Sequence, residues 1–254
     1  METKYNFIQS VGRALSILEQ FQDSRTLGVT TIANRVGIHK STCFGLIHTL
    51  QLLGYIQQDA ETGQYCLGLK AFELGQSYIS NLDLRTLVRP FLTGLMERLS
   101  ETVHLVVVEG HRAVYIDKVE TMSAMTISSR IGCEAPLHCT GVGKGLLAFM
   151  PEEERAAVLS TDLKAYTEFT ITDPVALDRH LAEIRALGYA VDDQEREIGL
   201  RCVAAPIFNA RGQVVAAISV SGPSTRVTQS KAVELAETIV EVTREISRKL
   251  GYRA

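Results

Sequence analysis

The sequence has five cysteines, Cys43, Cys66, Cys133, Cys139 and Cys202, and none of them stands in a C-x-x-C pair. An odd number without that spacing points to neither a zinc site nor a disulfide framework, so each reads as a small, mostly buried apolar residue. The opening METKYNFIQS lacks an apolar run behind its charges, which argues against a secretory signal. A membrane span is missing too. The longest uncharged stretch, Ser41 to Gln58, is interrupted by Ser, Thr, His and Gln and is amphipathic. No repeat or low-complexity segment is present, and the formal charge of -3 gives no overall basic excess. What these absences leave is a cytoplasmic globular protein with no membrane partner, no metal and no cofactor. At 254 residues, 46% hydrophobic and 22% charged, the chain is long enough for two domains.

The most informative segment is TTIANRVGIHKSTCFGLIHTLQLLGYI, residues 30–56. Its pattern predicts a short helix over Thr31 to Val36, a break at Gly37, Ile38 filling the corner, and a second helix from Ser41 to about Leu53. Cys43, Leu46, Ile47, Leu50 and Leu53 recur at helical spacing and form the buried face. His39, Lys40, Ser41, Thr42, Phe44, Gly45 and His48 are left for the other face. A packed helical hairpin shares this periodicity. The residues after the second helix decide for DNA: a glycine stop at Gly54, then a hairpin of Tyr55 to Gln58, a polar turn through Gly63, and Gln64 to Leu67. Ahead of the segment, Val11, Ala14, Leu15, Ile17, Leu18 and Phe21 stripe a helix over residues 8 to 22. Together these elements make a winged helix-turn-helix, which sets its second helix into a major groove.

Within residues 1–60, Lys4, Arg13, Arg25, Arg35 and Lys40 oppose Glu2, Glu19, Asp23 and Asp59, a net of +1. So weak a basic footprint calls for two heads acting together on a palindromic double-stranded operator, hence a homodimer or homotetramer. Arg13, Arg35 and Lys40 are the phosphate candidates, with His39, Ser41, Thr42, Phe44 and His48 for the bases.

Residues 70–81 read as a linker helix through Phe72, Leu74, Tyr78 and Ile79. The domains expected are 1–68, a linker over 69–83, and 84–254. In the second half, helices are expected over Arg85 to Leu99, Gly143 to Met150, Pro151 to Leu159, Pro174 to Leu187 and Lys231 to Leu250, the last with Val233, Ala236, Ile239, Val240, Thr243 and Ile246 on one side. Both Pro151 and Pro174 suit a first turn. Strands are expected over Val103 to Val108, Ala113 to Val119, Thr126 to Ile131, Tyr189 to Val191, Cys202 to Phe208 and Val214 to Val220, with a hairpin turn at Asn209-Ala210-Arg211-Gly212. Helices framing hairpin-connected strands imply an α+β fold with an antiparallel sheet.

The chain resembles the IclR family of bacterial transcription regulators over nearly its whole length. The likeness rests on Ser10-Val11-Gly12-Arg13-Ala14-Leu15, Lys40-Ser41-Thr42 and Leu53-Gly54-Tyr55. In the second half it rests on Thr140-Gly141-Val142-Gly143-Lys144, Gly199-Leu200-Arg201-Cys202 and Ala217-Ile218-Ser219-Val220-Ser221-Gly222-Pro223. It implies a winged-helix head joined by a helix to a GAF-like effector-binding domain. It also implies a ligand pocket using the backbone of Gly141 and Val142, the side chains of Asp192, Cys202, Ser219 and Ser221, and an apolar wall of Ala124 and Ile127. The wording around Glu101-Thr102-Val103-His104-Leu105 is similar to members that sense sugar acids. Where members commonly carry arginine in the reading helix, this chain has Gly45.

The residues make chemical sense of that pocket. Amides opening a helix at Gly141 suit a carboxylate, Ser219 and Ser221 share one face of a strand, and Asp192 can accept from a hydroxyl. The effector implied is a small organic acid with hydroxyl or keto groups, and Arg130 and His138 are candidates to add positive charge. Singly, Cys202 reads as a core thiol and the serines as backbone caps. Gly141-Val142-Gly143-Lys144 is no P-loop, since Gly145 stands where Ser or Thr should bind magnesium. No catalytic residue is expected. The rivals are a second half that only oligomerises, and an enzyme with Cys202 as nucleophile and His104 or His138 as base.

Overall fold

The structure is a computed structural model that describes residues 7–80, 83–120 and 129–253. It divides into two compact units between residues 82 and 83.

The first unit holds α1 (Gln9–Glu19), α2 (Val29–Val36), α3 (Lys40–Leu52), β1 (Ile56–Gln58), β2 (Tyr65–Leu67) and α4 (Leu69–Ser80). α2 stops because Gly37 takes a left-handed conformation, φ 70°, and the Ile38 amide donates back to Ala33 O at 3.0 Å. That reversal aims α3 across α2. The core is Ile17, Phe21, Leu27, Ile32, Ala33, Cys43, Ile47, Leu50, Ile56 and Tyr65, with Ile38 and Leu46 packed against it. Asp59 ties the hairpin turn by accepting from the Glu61 and Thr62 amides at 3.0 and 2.8 Å. Leu27 and Tyr65 exchange backbone bonds of 2.9 Å, joining the α1–α2 connection to β2.

The predicted apolar stripes were too wide. Val11 and Leu15 are more than half exposed, because a three-helix head is thin and covers only the Ala14, Ile17, Leu18 and Phe21 side of α1. Leu53, at the C-cap of α3 just before Gly54 turns the chain, is exposed as well. So are Phe72 and Leu74 on α4.

The second unit holds α5 (Asp83–Leu99), β3 (Thr102–Glu109), β4 (Arg112–Val119), α6 (Gly141–Leu147), α7 (Glu152–Leu159), α8 (Pro174–Leu187), β5 (Ala190–Asp193), β6 (Leu200–Phe208), β7 (Val214–Pro223) and α9 (Gln229–Lys249). The strands form a five-stranded antiparallel sheet in the order β4-β3-β7-β6-β5. Helices cover both faces, which is why β6 and β7 are buried almost throughout instead of alternating. Val142 and Leu146 of α6 and Leu177, Leu181 and Ile184 of α8 pack with Ala190, Ala204 and Ala217. α5 lies against β3 and β4, and α9 against β6 and β7.

Three expectations are corrected here. Residues 129–131 are not a strand, and 126–128 lie outside the described residues; instead residues 132–135 run along β4, with Ala135 N donating to Ala113 O at 2.8 Å and Gly132 N to Tyr115 O at 2.8 Å. The rising chain thereby covers a sheet edge without joining it as a strand. Pro151 is the N-cap of α7, one position ahead of its first turn, whereas Pro174 opens α8 behind the Asp173 cap. Finally, Val233 is exposed on α9 while Ala236, Ile239, Thr243 and Ile246 are buried.

Candidate functional site

In the first unit the exposed face of α3 presents Ser41, Thr42, Phe44, Gly45 and His48, with Cys43, Ile47 and Leu50 buried behind them. His39 is the N-cap and Lys40 the first helical residue, both exposed. Arg35 stands exposed on the last turn of α2 and donates to Ser24 Oγ at 3.3 Å; Arg13 is half-buried on α1. The reading face is polar and aromatic without formal charge, and Lys40 is the cation at its edge.

In the second unit, strand register gathers residues far apart in sequence. Asp192, Cys202, Ser221 and Thr102 pair side by side across β5, β6, β7 and β3. Two residues along lies a second row of Ala190, Ala204, Ser219, His104 and Lys118. Paired residues of antiparallel strands point to one face, and so do positions two apart, so both rows share a face. The start of α6 sits on the same face. A Cβ on Gly141 would lie 3.4 Å from the Cβ of Cys202, so glycine permits the close approach. Thr140 caps this helix, its Oγ1 accepting from Gly143 N at 2.9 Å.

The face is buried and its titratable groups respond accordingly. Burial holds His104 neutral by pushing its pKa down to about 3, with the charge of Lys118 adding to the effect. Burial raises Asp192 to about 7 against the opposing pull of Lys144. It raises the Cys202 and Tyr115 groups strongly, and Cys139 up to about 12. A thiol held protonated this way is a poor nucleophile. His104 Nε2 lies 2.7 Å from Ser129 Oγ, and its Nδ1 lies 3.3 and 3.5 Å from Ser219 Oγ and Ser221 Oγ. Tyr115 meets the His104 ring edge-on with centroids 5.3 Å apart.

On α6 itself, Lys144 is completely buried. Its ammonium donates to Val191 O at 2.7 Å, to His180 Nε2 at 3.1 Å and to the Glu195 carboxylate. Glu195 N in turn donates to Asp192 Oδ1 at 2.8 Å. The charge pair therefore fixes the loop that orients Asp192. Arg196, next in that loop, lies over the Tyr166 ring at 4.0 Å.

The structure thus brings Gly141, Asp192, Cys202, Ser219 and Ser221 onto one face of the sheet, while Val142 packs in the apolar core beneath α6. Arg130 is exposed at the start of a turn, its carbonyl accepting from Cys133 N at 3.1 Å. His138 is buried elsewhere, its Nε2 at 2.9 Å from Lys164 O. Ala124 and Ile127 lie outside the described residues. Sequence reasoning gave Tyr115, Glu195 and Arg196 no role, and met Thr102, His104 and Lys144 only inside motifs of the resemblance, His104 also as the base of a rival enzyme. The period-2 spacing of Thr102 and His104 on a strand was the one available signal. Among the described residues no group of three His, Cys, Asp or Glu side chains is placed to hold a metal, and no helix is long and apolar enough to cross a membrane.

Residues 10–60 match the IclR helix-turn-helix domain, and residues 76–248 match the bacterial transcriptional regulator IclR C-terminal domain. The chain belongs to the IclR family. Among IclR-family relatives, the HTH-type transcriptional regulator XynR of Escherichia coli is 40% identical over 97% of this chain and 99% of its own length. The transcriptional repressor IclR of the same organism is 36% identical, over 96% and 90%. An IclR homologue from Microbacterium hydrocarbonoxydans, solved in complex with 4-hydroxybenzoate, superposes with a TM-score of 0.82 at 26% identity, covering 94% of this chain and 99% of that one. As a member of this family the chain is a DNA-binding transcription regulator, with an α+β architecture of helix-turn-helix head and antiparallel-sheet second unit.

Proposed function

We propose that this IclR-family regulator represses a catabolic operon by binding a palindromic operator as a dimer or tetramer, and that a small organic acid with hydroxyl or keto groups controls it. The observation that carries the effector reading is the register row Asp192, Cys202 and Ser221, flanked by Ser219 and lying under the first residues of α6. Its donors and acceptors are buried, uncharged or weakly charged, and convergent, as a small-molecule site requires. The Microbacterium homologue's 4-hydroxybenzoate is itself a hydroxylated acid, which supports the same class here. Repression is supported by the relative named as a repressor. Oligomerisation is supported by the uncharged reading face of α3, since a single head gains little from phosphate contacts.

An effector alters DNA affinity only by the free energy with which it discriminates between two arrangements of the protein, typically about 1–3 kcal/mol. The test is a thermal-shift panel of keto and hydroxy acids, followed by operator affinity with and without the acid that binds. One acid is expected to raise the melting temperature and shift operator affinity by about 5- to 150-fold. A panel without stabilisation would favour a second unit that only oligomerises.

A further inference from the structure

Ser219 and Ser221 can each either donate or accept, so the pair alone does not say which end of an effector it meets. His104 decides. One ring nitrogen of a neutral imidazole donates and the other accepts, and Nδ1 of His104 faces both serine hydroxyls, at 3.3 and 3.5 Å. Nε2 faces Ser129 Oγ at 2.7 Å. Lys118 reaches the same residue, its Nζ donating to Ser129 O at 3.1 Å, and pairs with His104 in register. Ion-paired with Glu120 at 2.8 Å, the Lys118 ammonium still lies on that side and favours a lone pair over a proton at Nε2, with the Ser129 hydroxyl donating to it. The proton then sits on Nδ1.

Resting on the proposed effector site, the geometry points to His104 as the positioning residue of the pocket: its Nδ1–H donates to the serine pair, leaving both hydroxyls to donate outward. The serine protons are then aimed at an effector's carboxylate or keto oxygens, its strongest acceptors. Thr102 Oγ1, buried without a hydrogen-bond partner among the described residues, stands next to Ser221 in the row and adds a further hydroxyl to the same patch. Effector hydroxyls are left to Asp192, at the far end of the row.

The test is nitrogen-15 NMR of the histidine-labelled full-length protein, in which two-bond correlations report which ring nitrogen carries the proton. The signals of His104, identified among the six histidines by their loss in His104→Asn, should show protonated Nδ1 and bare Nε2. A proton on Nε2 overturns the assignment without touching the effector reading. Acetate then serves as the bare carboxylate probe: it should shift the His104 resonances, and Ser219→Ala with Ser221→Ala should abolish the shift. Acetate without effect on a protein that shows Nδ1–H overturns the carboxylate selection, while the effector reading is decided separately by the thermal-shift panel of keto and hydroxy acids. His104→Asn keeps an N–H near the Nδ1 position and should bind acetate within about threefold of the original, whereas His104→Phe, folded by its melting curve, should lose about tenfold. Equal losses in both variants would reduce His104 to packing.

Discussion

Lys144 and Glu195 form an ion pair inside the second unit, with the ammonium wholly buried and the carboxylate nearly so. A pair of this kind is costly to half-remove, because the survivor is left charged and desolvated. Lys144→Met should therefore destabilise the protein by about 3–5 kcal/mol in denaturant unfolding. Lys144→Met combined with Glu195→Gln should recover part of that loss. A double variant less stable than the single one would show that the pair acts through something other than charge.

Asp192 and His104 couple folding to pH in opposite senses. Burial raises Asp192 from 3.8 to about 7, so its contribution to stability is complete below about pH 4 and lost as pH rises toward 7. Burial lowers His104 from 6.5 to about 3, so its contribution is complete above pH 6.5 and lost as pH falls toward 3. The slopes oppose each other over the shared range. Asp192→Asn should gain on the original protein between pH 4 and pH 8, by an amount on the order of a few kcal/mol, read as the change in their stability difference. A constant difference across that range would mean that Asp192 is ionised in the folded state.

Gly143 and Gly145 lie in one helix and should respond differently to the same change. A Cβ at Gly143 would run into the Pro136 carbonyl and lie 2.7 Å from Leu137 Cα, both backbone, and 2.6 Å from Thr140 Oγ1. Gly143→Ala should cost about 1–3 kcal/mol and disturb the cap that starts α6. At Gly145 the nearest atoms are the Cβ of Ala190 and Ala204, at 3.8 and 3.9 Å. Gly145→Ala should be neutral or stabilise by up to about 1 kcal/mol. Thermal melts of the two variants separate these outcomes.

On DNA, Lys40→Ala should weaken binding to all sequences alike and reduce the slope of affinity against salt by about one per lost contact. Phe44→Ala and His48→Ala should change which bases are preferred while leaving the salt slope intact. Titrations of a random-sequence and a selected duplex at several salt concentrations measure both. An unchanged slope for Lys40→Ala would remove it from the phosphate contacts.

The helices and strands were largely legible, because periodicity is local: Gly37 stops α2 and Pro174 opens α8 where the chain itself signals it. Burial was less legible. Val11, Leu15 and Leu53 fit a helical stripe yet face solvent, since how far a small core reaches around a helix depends on its neighbours. The candidate site was half legible. Cys202, Ser219 and Ser221 stood out in their motifs, but His104 and Thr102 join them only through the β3–β7 register, and their period-2 spacing does not name β7 as the partner strand. Lys144 fell within the helix expected over Gly143 to Met150, and nothing nearby in sequence shows that its counter-ion is Glu195.

A regulator searches a chromosome whose wrong sites outnumber the right one by about a millionfold or more, and phosphate contacts hold it to right and wrong sites alike. The reading helix of this chain and the strand after it carry no formal charge from Ser41 to Gln58. A helix of this kind adds little general adhesion of its own and leaves that to Lys40 at its start and to Arg13 and Arg35 on the neighbouring helices. Less of such a protein should be sequestered along bulk chromosome than of one with a basic reading helix, an outcome that competition of operator binding by random-sequence duplex measures.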